Sequence, residues 1–176
     1  MTQTPSKKVF ALDLHPLSFG FAIFERPDEL VDWGIKSFRH GVNAVRVPLN
    51  VKLALLLDQH GPDIIVIKTP RTEGLKRVAR TIEALAQYRR IPVRLISGTS
   101  VRKAFPDNNH NKYQIATVIA TRYPELSPRL GPKRKFWQAE RYSMSVFDSA
   151  ALGIAYFISE PTLHGDLQDG LVVPPI

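Results

Sequence analysis

Residues 9–24 read VFALDLHPLSFGFAIF. Val9 to Leu12 is an apolar run closed by an acid, Asp13, and Phe19 to Phe24 is a second apolar run. Short runs of this kind, bounded by turn residues, predict buried strands. The Pro16-containing link between them predicts a hairpin loop, so the chain opens on two antiparallel strands.

Further elements follow outward from this hairpin. A third strand is expected near Leu30 to Lys36. Val45 to His60 carries apolar residues at helical spacing, and Gly61-Pro62 stops it. Asp63-Ile-Ile-Val-Ile-Lys68 predicts a fully apolar strand with a charge at its C-terminal end. A helix is expected over Gly74 to Arg90, with Val78, Ile82, Leu85 and Ala86 on one face, and a fifth strand over Val93 to Ile96. The remaining expectations are a short helix over Ser100 to Phe105 and a helix from Lys112 to Tyr123 opened by Asn108 to Asn111. A Pro-rich basic loop over 127–136 and a last helix from Ala139 to Ile158 complete the chain. Three antiparallel strands followed by parallel strands joined by helices predict an α/β fold with a mixed five-stranded sheet flanked by helices. The expected organisation is an N-terminal tail over 1–8, one domain over 9–159 and an irregular tail over 160–176.

The composition of the 176 residues is that of an ordinary globular domain, with 44% hydrophobic and 23% charged residues. This excludes a coiled coil, a collagen-like chain and a disordered acidic tail. No cysteine is present, which excludes disulfides, zinc fingers, iron–sulfur sites and thiol nucleophiles. No apolar run reaches the roughly 18 residues of a membrane span, and Met1 to Lys8 lacks the apolar core of a signal peptide, so a cytoplasmic protein with no membrane partner is the expectation.

The net charge of +8 is unevenly spread. Basic residues crowd between Arg71 and Lys103, where Glu73 and Glu83 are the only acids. Lys133, Arg134 and Lys135 then precede Phe136 and Trp137. Cations beside aromatic rings suit a nucleic-acid backbone with bases available for stacking. Arg71, Lys76, Arg77, Arg80, Lys112, Lys133, Arg134 and Lys135 are the candidate nucleic-acid contacts.

In open α/β sheets, ligands sit at the carboxyl ends of the strands. Asp13 and Lys68 lie there. Asp148 lies in the last helix among apolar neighbours and needs a partner, a metal or solvent, because an unpaired buried charge is strongly disfavoured. His15, two residues beyond Asp13, is the best-placed histidine for a ligand or proton-transfer role.

Taken in order, these segments resemble the RuvC-type Holliday-junction resolvases of the RNase H-like superfamily. The resemblance covers about residues 8–158. Its opening hairpin carries an Asp with a Gly seven residues later, here Asp13 and Gly20. Gly61 to Lys68 is similar to the family's fourth strand, Asn111 to Ala116 to a basic helix start, and Phe147 to Ala155 to its last helix. The resemblance implies a catalytic Asp13 and Asp148 holding Mg²⁺ or Mn²⁺, and a Lys112 serving catalysis or DNA contact. It also implies branched DNA as substrate and a two-fold homodimer.

The departures from that pattern are specific. The family site uses four carboxylates, because Mg²⁺ takes hard oxygen ligands. Here Lys68 stands at the fourth-strand position and Ser145 at the position one helical turn before Asp148, and His15-Pro16 replaces a glycine in the first loop. Two arrangements of Lys68 are open. It pairs with Asp13 and takes the place of a metal, or it snorkels outward and leaves a weak one-metal site. Glu140 is too far along the helix to share an ion with Asp148, and Glu73 is expected at a helix N-terminus. Three functions stay open: a junction-cleaving endonuclease weakened by the loss of two carboxylates, a catalytically silent module binding branched DNA or RNA, and a domain docking a protein partner.

Overall fold

The computed structural model describes residues 7–38, 48–105, 111–133, 135 and 142–160. Strands β1 (Val9–His15), β2 (Ser18–Arg26) and β3 (Glu29–Ser37) form an antiparallel meander. Helix α1 (Leu49–His60) leads to β4 (Ile64–Lys68), and α2 (Glu73–Tyr88) leads to β5 (Val93–Ile96). Both later strands run parallel to β1, giving the sheet order β3-β2-β1-β4-β5. Three helices follow, α3 (Gly98–Lys103), α4 (Lys112–Arg122) and α5 (Met144–Ser159).

The expected mixed five-stranded sheet is the one found. Several helix ends have a local cause. Gly61 takes the left-handed conformation at φ 54° and its N–H bonds Leu57 O, which ends α1. Thr72 caps α2 by accepting from Leu75 N. Asn111 and Gln114 form a reciprocal capping box that fixes Lys112 as the first residue of α4.

Alternate residues of the central strands serve two separate cores. Val9, Ala11, Ala22, Phe24, Ile64 and Val66 face α4 and α5. Phe10, Leu12, Leu14, Phe21, Ile65 and Ile67 face α1 and α2. Burial on both faces is why β1 and β4 read as unbroken apolar runs rather than alternating ones.

Several boundaries differ from the sequence expectation. The expected loop over 127–136 begins instead as a 3₁₀ helix, Pro124–Arg129, with Pro124 in its first turn, where a missing N–H costs nothing. Among the described residues the last helix starts at Met144 rather than Ala139, and the first at Leu49 rather than Val45; residues 39–47 and 136–141 lie outside the described residues. The short helix opens at Gly98, two residues early, because Ser97 caps it by accepting from Ser100 N. No helix of the described residues is long and apolar enough to cross a membrane.

Candidate functional site

The chemistry gathers where β1 and β4 end under the first turns of α5. In the parallel register Leu12 lies beside Ile67, so Asp13 and Lys68 are the next residues of neighbouring strands. By alternation both belong to the face covered by α5. Gly20 lies directly across from Asp13 on β2. A Cβ at Gly20 would collide with the backbone oxygen and Oγ of Ser145, so this position admits the start of α5 only when it is glycine. The close approach delivers Ser145, whose Oγ donates to Asp13 Oδ2 at 2.8 Å. The same carboxylate oxygen lies 2.8 Å from His15 Nε2. Asp13 is 5% exposed. Its hydrogen bonds to Ser145 and His15 are what make that burial tolerable.

Asp148 stands one turn beyond Ser145 on α5. Its partner is Lys112, whose Nζ lies 2.8 Å from Asp148 Oδ2. The capping box at Asn111 holds Lys112 at the mouth of the pocket. Burial pushes the Asp148 carboxyl above its ordinary value, and the negative charge of Asp13 pushes it further; Lys112 and Lys68 pull against both. The hydrogen bond that the protonated His15 donates to Asp13 raises the imidazole above its ordinary value, with the charges of Asp13 and Asp148 adding to it.

Lys68 corrects one expectation. Among the described residues it forms no ion pair with Asp13, whose Oδ2 is bonded to Ser145 and His15. Its aliphatic stem lies instead over Gly98 at the start of α3, with Cε 3.6 Å from where a Cβ would sit. It is half-buried and still close enough to stabilise the charged form of Asp148. Arg71 approaches the same point, with Nη2 3.9 Å from it. This Gly98 platform had no signal in the sequence, since it depends on the turn from β5 into α3 reaching the end of β4.

The donor set does not fit the pair of divalent ions that the resemblance implies. Two carboxylates remain where four are expected. One of them is held by an ammonium group, and Lys68 stands at the strand position where a third is expected. Two unit charges of like sign 4 Å apart repel by about 4 kcal/mol at an effective dielectric near 20, and a divalent ion doubles this. Among the described residues no group of three or more His, Asp and Glu side chains is placed to hold a metal ion.

The other candidates separate. The fold brings Asp13, Lys112 and Lys68 into electrostatic reach of Asp148, and Arg71 approaches Lys68 at Gly98. Lys76, Arg77 and Arg80 are exposed on α2, on the opposite side of the sheet, with Lys76 and Arg80 bridged to Glu73 at 2.6 and 3.9 Å. Glu73 is indeed a helix N-terminal acid. Lys133 and Lys135 are exposed beyond the 3₁₀ helix. Arg134, Phe136, Trp137, His110 and Glu140 lie outside the described residues.

With this geometry in hand, the class of fold is plain: it is that of the RuvC-type resolvases. The T. thermophilus RuvC in complex with Holliday junction substrate matches with a TM-score of 0.60 at 12% identity, over 88% of this chain and 96% of that one. The yeast mitochondrial Holliday junction resolvase Ydc2 matches with a TM-score of 0.65 at 16% identity, over 92% of this chain and 82% of that one. The fowlpox virus resolvase with its Holliday junction DNA gives 0.50 at 13%, over 86% and 97%. The sequence matches no protein-family description and no curated protein. At these identities the likeness establishes the fold and leaves function to the site.

Proposed function

We propose that this chain binds branched DNA of the four-way-junction type on its resolvase-like fold, and that it does so without two-metal cleavage. The observation that carries this reading is the Lys112–Asp148 ion pair at 2.8 Å, set beside an Asp13 that is bonded to Ser145 and His15. An acidic pocket that hydrolyses phosphodiesters through metals must present its carboxylates to those metals. Here the carboxylates are turned to protein partners. The protein's +8 charge and the exposed cations of α2 support a polyanionic partner. The two-fold symmetry of a four-way junction favours a homodimer on the DNA.

Binding of a labelled four-way junction against linear duplex of equal length, titrated over salt, tests the reading. Junction binding should be tighter, and its logarithm should fall linearly with the logarithm of salt as counterions are released. Equal or absent binding to both at low salt overturns it. A second reading rests on the survival of both Asp13 and Asp148 at the strand-end pocket. In it, these two hold one Mg²⁺ or Mn²⁺ after Lys112 swings away, and slow cleavage remains. Metal-dependent nicks lost in Asp13→Asn would favour this second reading.

A further inference from the structure

Lys68 and Arg71 lie against the same point of the backbone. A Cβ placed on Gly98 would meet Lys68 Cε at 3.6 Å and Arg71 Nη2 at 3.9 Å, with nothing else as near. Among the described residues neither side chain forms an ion pair. The carboxylates of Asp148, Asp13 and Glu73 have other partners: Lys112 for Asp148, His15 and Ser145 for Asp13 Oδ2, and Lys76 and Arg80 for Glu73. Cations brought to one stretch of backbone repel each other, more strongly where protein replaces water on one side. Exposed cations ordinarily relieve this by turning apart. Here the Lys68 side chain is half-buried with its stem against Gly98, which limits how far its ammonium can turn away. Arg71 is exposed and presents a planar fork suited to two oxygens of one tetrahedral group.

We infer that Lys68 and Arg71, seated on Gly98, form a metal-independent seat for one phosphate group. The group in question is a backbone phosphodiester of the bound nucleic acid, so the inference rests on the DNA-binding reading above. Inorganic phosphates share the chemistry and serve as a separate probe. Lysine supplies a point charge and arginine a bidentate donor, and together they do what a metal would otherwise do for the phosphate charge. Lys68 at the end of β4 is then a phosphate ligand rather than a damaged metal ligand.

The test uses the full chain with Lys68→Gln, Arg71→Gln and the double variant, and Lys7→Gln as a control for loss of one charge at the far end of β1. Thermal melts establish that each is folded. Junction affinity is measured over salt in chelator and again in Mg²⁺ at matched ionic strength. Wild-type affinity should be the same with and without metal. Each single variant should bind about ten-fold more weakly or worse, as for loss of a charge-assisted contact. The double variant should lower the salt slope by about one rather than two, because both cations serve one phosphate. Lys7→Gln should change affinity by less than about two-fold. Unchanged affinity in the single and double variants, or wild-type binding that requires Mg²⁺, overturns the seat while leaving the DNA-binding reading intact. If wild-type protein binds no DNA, that reading fails, and a separate arm decides the seat: pyrophosphate raising the melting temperature of wild type but not of the double variant supports it, and no rise in either overturns it.

Discussion

The two faces of the sheet are packed by different means. The face toward α1 and α2 is filled by large side chains, Phe10, Phe19, Phe21, Leu12, Leu57 and Ile82, and turns a charged helix to the solvent. The face toward α5 is built for close approach. Gly20 sits under Ser145 and Gly153 under Phe24, and between them the small residues Ala150 and Ala151 alternate with the large Phe147, Leu152 and Ile154. The first arrangement tolerates adjustment, because long side chains can repack. The second fixes the helix backbone to the strand backbone, and with it the positions of Ser145 and Asp148. The candidate site residues lie on the face where two glycines bring helix and strand together, while the other face carries the core of α1 and α2 and their surface charge.

This difference has a sharp consequence. Gly20→Ala should lower stability by about 1–3 kcal/mol, since a methyl group there displaces the start of α5. It should also separate Ser145 from Asp13. Leu56→Met in the opposite core should cost less than about 1.5 kcal/mol, because the volume is conserved. Chemical denaturation of both variants checks the contrast, and equal costs would break it.

A smaller effect is expected at the ion pair. Lys112→Gln leaves a buried carboxylate beside Asp13 and should destabilise by about 1 kcal/mol at neutral pH, discounted for the exposure of the lysine. The Asp148 carboxyl, already held above its ordinary value by burial, should rise further. A raised carboxyl favours the fold most below its unfolded pKa, and that advantage is lost as pH rises through the folded value. The difference between variant and wild type should therefore shrink on acidification. Denaturation series between pH 4 and 8 would show this.

The smallest effect is at His15. Its imidazole is raised by Asp13, so its stabilising charge is fully present below its unfolded pKa and lost as pH rises through the higher folded value. His15→Asn should flatten the stability profile there by less than about 1 kcal/mol, because His15 is half-exposed. A profile unchanged by the substitution would mean that the His15–Asp13 contact carries no net charge.

Much of this was legible in the sequence, for identifiable reasons. β1, β2 and β4 are buried on both faces and so announce themselves as apolar runs. The Asp13–Gly20 spacing is readable because the strand register sets Gly20 across from Asp13 and under Ser145. The partner of Asp148 was not legible, because Lys112 is brought to it across 36 residues by tertiary packing. The direction of Lys68 was equally hidden. An ion pair with Asp13 is one arrangement that strand position allows, but the bonds of Asp13 Oδ2 go to Ser145 and His15 and the Lys68 stem lies against Gly98. Helix starts were misjudged where a local cap decides them, as at Ser97 before α3.

The central claim is that the pocket holds nucleic acid with protein cations in place of metal ions. Its most direct test is incubation of an end-labelled four-way junction with the protein in Mg²⁺, in Mn²⁺ and in chelator, reading binding and strand nicks in parallel. The account predicts junction-selective binding of equal strength in all three and no paired symmetric nicks in any. Symmetric nicks that appear only with metal and vanish in Asp13→Asn would contradict it.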